Sequence, residues 1–437
     1  MRFRVILVLA VCLAFGGALW IPSRLDEVTL AADPPPAAAW MGPLAGLTLR
    51  AQLAVTREPW SFHLVNLLAH AAAVWVASQV LEQWLGGRAG WIAAGVFAIH
   101  PLQTEVMADV FARGAALSGL LALAAVRAWQ AGRQWRACGW FAAALAAGPA
   151  AVGLPMVLAL SEWGGERRRE ARRPLMAMLG AAVLAVILWG GIGDAQRLST
   201  QGVAMLRSLW LLLAPIGLTP EPAVKTQPWL ASLAWGAIAS VLVLAVSIAK
   251  GRRPGFWVVA GFMLLLPSAA IPPSGPGAAD SRMYLAMVFF GAAFGVLLRR
   301  VDVRLLGAMG LIWMGASLLQ TRLWQNPRAL WMEAARLAPE SVRAKRELAT
   351  LLPPGQAMEM LAEAAESAPD NACLRSAMGL VRLRAGDVGG AEAEFEKALE
   401  LDPCLFEAVW NLERLRKRER SGMACTFTPE QRKLLGR

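Results

Sequence analysis

The sequence predicts an all-α protein in two parts, a polytopic membrane helix bundle followed by a small α-solenoid. Three observations carry this expectation. Apolar runs long enough to cross a bilayer recur from residue 5 to about residue 322 and then stop. From Asn326 onward the chain becomes charged and rich in Ala and Leu, with helix–turn–helix periodicity. Of the 437 residues, 57% are hydrophobic and only 17% are charged, well outside the range of ordinary soluble domains.

Charge sets the orientation. A formal net charge of +12 would suit nucleic acid, but the placement of the arginines argues against that partner. They gather in short loops between apolar runs: Arg2/Arg4, Arg133/Arg136, Arg167–Arg173, Lys250–Arg253 and Arg299–Arg304. Cytoplasmic loops of membrane proteins show this bias. The opening MRFRVILVLAVCLAFGGALW has the two arginines and short apolar run of a signal peptide, yet no small-x-small site follows. Cys12 also lacks the preceding small residue of a lipoprotein signal. This stretch is therefore expected to be a first span with a cytoplasmic N-terminus.

Further spans are expected at about 61–83, 89–103 and 112–130, followed by two short or broken ones within 137–162, interrupted at Gly148-Pro149. Others fall at about 174–192, 228–249, 254–271, 283–298 and 305–322, making about eleven in all. Residues 195–217 keep the parity only if they lie along the outer interface, with Arg197 and Arg207 at polar positions. The expected domains are then 1–325 in the membrane, 326–420 as repeats outside the cytoplasm, and a tail over 421–437.

The repeats match the tetratricopeptide unit of about thirty-four residues. Counting back from Pro403, small residues are expected at Gly379, Ala391 and Ala398 and an aromatic at Phe395, and all are present. Ala357, Leu361, Ala364 and Pro369 repeat the pattern one unit earlier, while Trp331, Ala334 and Pro339 suggest a partial unit before that. Helix 404–419 would cap the stack. Cys373, Cys404 and Cys425 fall in this outer part, where a disulfide is permitted. Cys373 and Cys404 occupy the first helices of successive repeats, so they would either touch or remain unpaired small core residues.

Four places put ionisable groups on the expected outer face. Asp26 and Glu27, with Asp33 beyond them, follow the first span, and adjacent carboxylates there suit a general base or metal ligation. A solvated loop start is the plain alternative. His63, Asn66 and His70 stand at i, i+3 and i+7 on an apolar span, a stripe that suits interhelical hydrogen bonding better than zinc. After His100-Pro101, Glu105, Asp109 and Arg113 stand at i, i+4 and i+8, which on one helix would share a face. Asp280, Arg282 and Tyr284 form the fourth place. Tyr284 is the only tyrosine beside nineteen tryptophans, which hints that its hydroxyl is used.

PWSFHLVNLLAH, the GGR turn after it and HPLQTEVMADVFARGAAL resemble the membrane domain of the protein O-mannosyltransferases that join transmembrane spans to tetratricopeptide repeats, and their bacterial relatives. LDEVTLAADP resembles the family's paired-acid motif, TQGVAMLRSLWLLLAPIGL its outer interfacial helix, and DSRMYL its late acidic-x-Arg-x-Tyr-Leu motif. The resemblance implies a C-fold glycosyltransferase that uses a polyprenyl-phosphate sugar, mannose by family analogy, on the outer membrane face. It implies Asp26 as general base supported by Glu27, with Glu105 and His100 shaping the sugar and acceptor site. Arg113, Arg207 and Arg282 would face the departing lipid phosphate, a task suited to the guanidinium fork. A divalent metal is left open, and nothing in the residues marks a metal site.

The chain also departs from the family pattern. Gly42 stands where Arg usually precedes Pro-Leu. Ala147, Gly148 and Pro149 stand where Ser-Lys-Glu is common, with Leu154-Pro155 retained downstream, and Ala286 replaces a Pro. These changes suit an altered donor or a lapsed enzyme. The leading expectation is a membrane glycosyltransferase acting on a protein Ser/Thr or other hydroxyl, its repeats docking the acceptor. The alternative is a membrane-anchored repeat scaffold for protein–protein interaction. A bacterial inner membrane with periplasmic repeats is the expected location.

Overall fold

The computed structural model describes residues 1–22, 41–162, 168–191, 193, 195–222, 227–248, 254–271, 280–416, 425, 427, 431–432 and 435, without the side chains of Arg168, Ala195, Gln196, Arg197 and Ala269. Asp26, Glu27 and Asp33 lie outside the described residues, as does the basic stretch Lys250–Arg253. Among the described residues the chain is helical and contains no strand. It divides into two compact units. The first comprises Met1–Ser23, Pro36–Leu218 and Val224–Gln325; the second comprises Arg24–Pro35, Thr219–Ala223 and Asn326–Arg437.

The first unit begins with α1 (Arg2–Phe15), α2 (Pro43–Val55), α3 (Pro59–Leu85), α4 (Gly87–Ile99) and the short α5 (Thr104–Ala108). It continues through α6 (Arg113–Gln130), α7 (Gln134–Ala147), α8 (Leu154–Ser161), α9 (Arg168–Leu188) and α10 (Ala195–Leu213). It ends with α11 (Pro228–Ser247), α12 (Pro254–Ala270), α13 (Met283–Leu298) and α14 (Val303–Trp324). Prolines at the first helical position open α2, α3 and α11, where the missing N–H is not needed.

Among the described residues, seven stretches are long and apolar enough to cross a membrane: Arg2–Trp20, Pro59–Leu85, Val110–Gln130, Arg169–Leu188, Pro228–Ser247, Asp280–Leu298 and Val303–Trp324. Gly87–Ile99, Pro149–Ser161 and Pro254–Ser268 are apolar but shorter. The region expected to break near Gly148-Pro149 does so: α7 ends at Ala147, a 3-10 turn spans Pro149–Ala151, and α8 follows. Burial sorts the long helices. The apolar window around α13 is 72% buried, so α13 is a central strut, whereas that of α14 is only 11% buried. Leu305, Leu311, Ile312 and Leu319 of α14 stay exposed, as do Leu184, Ile187 and Leu188 of α9. An apolar surface on helices of this length is what an integral membrane protein presents to lipid.

The second unit is a stack of short helices: α15 (Pro327–Leu337), α16 (Val342–Ala349), α17 (Pro354–Ser367), α18 (Ala372–Arg384), α19 (Val388–Leu401) and α20 (Phe406–Arg416). Asn326, Ser341, Asn371 and Asp387 each cap the following helix by accepting from the amide three residues on, at 2.8–3.1 Å. Ala357, Leu361, Ala364, Ala391, Phe395 and Ala398 are wholly buried. Gly379 is small for a reason: a Cβ there would lie 2.7 Å from the Phe395 ring. Pro403 sits exposed in the turn after α19. Cys404 pairs with Cys425, not with Cys373, at a Cα–Cα separation of 5.5 Å, and Cys373 is a free thiol. Of the two alternatives for Cys373, the unpaired one holds, and Cys404 instead bonds Cys425 ahead of α20.

Candidate active site

The site is built where α4 ends. Pro101 cannot extend the helix, so the chain turns at His100, whose backbone is extended. The His100 ring then fixes the turn. Its Nδ1 accepts from the Leu102 amide at 3.2 Å and its Nε2 donates to the Leu212 carbonyl at 3.1 Å, which sets the tautomer. Asp109 makes the next turn by accepting from the Phe111 amide at 2.9 Å. Glu105, Asp109 and Arg113 therefore occupy α5, a cap and the start of α6, and do not share the single helix face their spacing suggested.

Glu105 points to the chain before α13. Its Oε2 accepts from the amides of Asp280 at 2.8 Å and Ser281 at 3.2 Å, and its Oε1 lies 3.1 Å from the Ser281 hydroxyl. Asp280 in turn accepts from Arg207 of α10 at 2.6 Å, and Arg207 also donates to the Gly217 carbonyl at 3.1 Å. Arg282 donates to the Gln201 side chain at 2.8 Å. Three stretches far apart in sequence thus meet in one charged cluster at the ends of apolar helices. Burial, and then the Asp280 and Asp109 carboxylates beside it, push Glu105 up to about 8, against the opposing pull of its hydrogen bonds to Ser281 and the Asp280 amide. At neutral pH Glu105 is mostly protonated, and that proton can be given to the Ser281 hydroxyl while Oε2 keeps both amides.

A second polar group lies within the bundle. Asn66 donates to the carbonyls of Val106 and Asp109, both at 3.0 Å, and accepts from Arg113 Nε at 3.2 Å. Arg113, wholly buried, also donates from Nη2 to the Phe62 carbonyl at 3.1 Å, while its Nη1 is buried with no hydrogen-bond partner among the described residues. His63 Nδ1 lies 3.2 Å from the Met107 carbonyl. His70 bridges the Ala98 carbonyl at 3.1 Å and the Tyr284 hydroxyl at 2.9 Å. The lone tyrosine therefore uses its hydroxyl inside the bundle, on His70, away from the Glu105 cluster. Among the described residues no group of three His, Cys, Asp or Glu side chains is placed to hold a metal.

A small pocket opens beside the charged cluster, lined by Ala112, Ala115, Pro149, Ala150, Ser268, Ser281 and Arg282. Ser281 and Arg282 form its polar side, and the turn after α7 forms an apolar one. Gly42 closes the back of that turn. Its amide donates to the Ala147 carbonyl at 2.9 Å, and a Cβ on Gly42 would fall 2.4 Å from the Ala146 carbonyl oxygen. Ser281 and Gln201 did not stand out in the sequence. Ser281 sits inside the Asp-x-Arg motif and meets Glu105 with both its backbone amide and its hydroxyl.

No protein-family model matches the chain. Over 84 residues it is 34% identical to Protein O-mannosyl-transferase TMTC3 of Homo sapiens, a match covering 19% of this chain and 9% of that protein. Over 110 residues it is 37% identical to Protein O-mannosyl-transferase TMTC2 of Mus musculus, covering 23% and 13%. Over 202 residues it is 30% identical to Protein O-mannosyl-transferase Tmtc2 of Drosophila melanogaster, covering 41% and 22%. The chain thus spans about a tenth to a fifth of the length of these curated relatives. Similarity to proteins named as O-mannosyl-transferases is what the partial matches have in common.

Proposed function

We propose that the chain is a membrane glycosyltransferase that moves a sugar from a polyprenyl-phosphate donor to a hydroxyl of a protein acceptor on the non-cytoplasmic face. The observation that carries this reading is the convergence of Glu105, Asp280, Ser281, Arg207 and Arg282 beside one pocket. The cluster sets the Arg207 and Arg282 guanidiniums beside Asp280 and the Ser281 turn, and guanidiniums suit a phosphate leaving group. The partial similarity to named O-mannosyl-transferases supports the reaction class.

In this reading the acceptor oxygen attacks the anomeric carbon as the bond from that carbon to the phosphate oxygen breaks. Asp26, helped by Glu27, takes the hydroxyl proton, and Arg207 and Arg282 receive the polyprenyl phosphate. Glu105 positions the Asp280–Arg282 turn through the Asp280 and Ser281 amides and the Ser281 hydroxyl. The helical stack over 326–420, tetratricopeptide-like in its signature positions, presents the acceptor. Mannose is the sugar to test first, and an inner membrane with periplasmic repeats is the setting.

The test is transfer from a polyprenyl-phosphate sugar to peptide, in membranes holding wild type, Asp26→Asn or Glu105→Gln at equal abundance. Loss of transfer in both variants is expected. Wild-type membranes without transfer, while partners still co-purify through the repeats, would leave a membrane-anchored scaffold in place of an enzyme.

A further inference from the structure

The segment Thr219–Ala223 groups with the helical stack although it is continuous with α10 and Leu218 of the membrane unit. Thr219 and Pro222 are buried, and Glu221 is paired with Arg343 of α16 at 2.9 Å, the two side chains 15% and 30% exposed. The Arg343 guanidinium also lies 5.7 Å from the centre of the Trp331 ring of α15, so it is held between an aromatic face and a carboxylate. Prolines on both sides of Glu221 withhold amide donors and restrict the chain to extended conformations. The Glu221 amide donates to the Thr219 hydroxyl at 3.3 Å.

Arg346, almost one turn along α16, adds its field at Glu221. It also lies within electrostatic reach of Cys373 on α18 and Glu407 on α20. Alternate helices of the stack, α16, α18 and α20, therefore share the face on which Arg346 lies. An extended peptide laid across successive helices is the ligand such a face fits. The chain's own Thr-Pro-Glu-Pro is held there by the burial of Thr219 and Pro222 and by a partly open ion pair, an interaction of modest strength. A partner with more contacts can exchange with it.

We propose that the face built on Arg343, Arg346 and Trp331 is a docking site for extended, acidic, proline-flanked protein segments, and that Thr219–Pro222 is its built-in occupant. An incoming stretch of another protein with the same chemistry displaces this segment. The proposal concerns binding alone and does not need the transferase reading, so either can fail without the other.

The probe is a fluorescein-labelled peptide LTPEPA, titrated by anisotropy against the full chain in detergent. Glu221→Ala should bind it about tenfold more tightly than wild type, the gain expected when an occupant filling the site roughly nine-tenths of the time is removed. Adding Arg343→Ala should abolish binding, and a peptide with Gln in place of Glu should bind neither chain. Because Arg343→Ala can also loosen α16, a charge swap provides the second arm: Arg343→Glu in the Glu221→Ala background should recover binding of LTPKPA. Equal affinity of wild type and Glu221→Ala, or binding that survives Arg343→Ala, would overturn the proposal. So would failure of the charge-swapped pair with circular dichroism unchanged.

Discussion

Two buried polar groups in the membrane unit invite comparison, because they draw on the same residue types and end in different states. Around Asn66, the polar atoms of Asn66 and His70 find partners within the bundle, mostly backbone carbonyls, and Arg113 donates to the Asn66 side chain and the Phe62 carbonyl. Around Glu105, a carboxyl, an Asp–Arg pair and a second Arg crowd together beside a pocket. The first arrangement is a scaffold: hydrogen bonds that hold α3 to the loop before α6. The second keeps charge where a ligand can reach it. Polar residues in an apolar span thus do not share one meaning, and the difference lies in whether their partners are neutral or charged.

Substitutions can break that contrast. Glu105→Gln should reduce sugar transfer by about a hundredfold or more, the usual scale for losing a positioned acid–base group, with little change in melting temperature. Equal loss of stability and transfer would move Glu105 into the scaffold class. Asn66→Leu should act the other way, costing about 3 kcal/mol or more by orphaning two carbonyls and an Arg113 donor, as read by thermal unfolding in detergent. Tyr284→Phe removes only the hydroxyl that meets His70, so about 1–3 kcal/mol of stability should go while transfer per folded molecule stays unchanged. A drop in specific activity would tie Tyr284 to the chemistry.

The smallest effect is a pH slope. Glu105 keeps its proton up to about 8 in the folded chain, whereas an unfolded chain releases it near 4.5. The folded state therefore binds the extra proton between these values, and its stabilising effect is full below 4.5 and lost as pH rises through 8. Melting temperature should fall across that window in wild type and fall less steeply in Glu105→Gln. Parallel curves would remove the buried proton.

The helical fold was legible because hydrophobic runs and their breaks are local signals: the run at 59–85, the break at Gly148-Pro149 and the small residues facing Phe395 all act within a few turns. The site was legible only in part. Glu105, Arg207, Asp280 and Arg282 were recognisable as ionisable groups in the wrong solvent, but Glu105 and Ser281 are 176 residues apart and nothing local pairs them. The Glu105–Arg113 register failed for a local reason, since His100 and Asp109 spend their side chains on capping turns that cut the helix. Nothing local in the sequence pairs Cys404 with Cys425, because the tail carries no periodicity that would bring it back to α20.

The contact between Gly42 and the end of α7 has a consequence for how this chain can be changed. Gly42 and the stretch 147–149 are separate departures from the pattern that the sequence resembles, yet the two places touch through a 2.9 Å hydrogen bond. Any side chain at 42 would collide with the Ala146 carbonyl, so an arginine placed there alone would displace the turn that walls the pocket. Gly42 and the turn at 147–149 are thereby one unit, and Gly42→Arg combined with changes at 147–149 should be strongly non-additive.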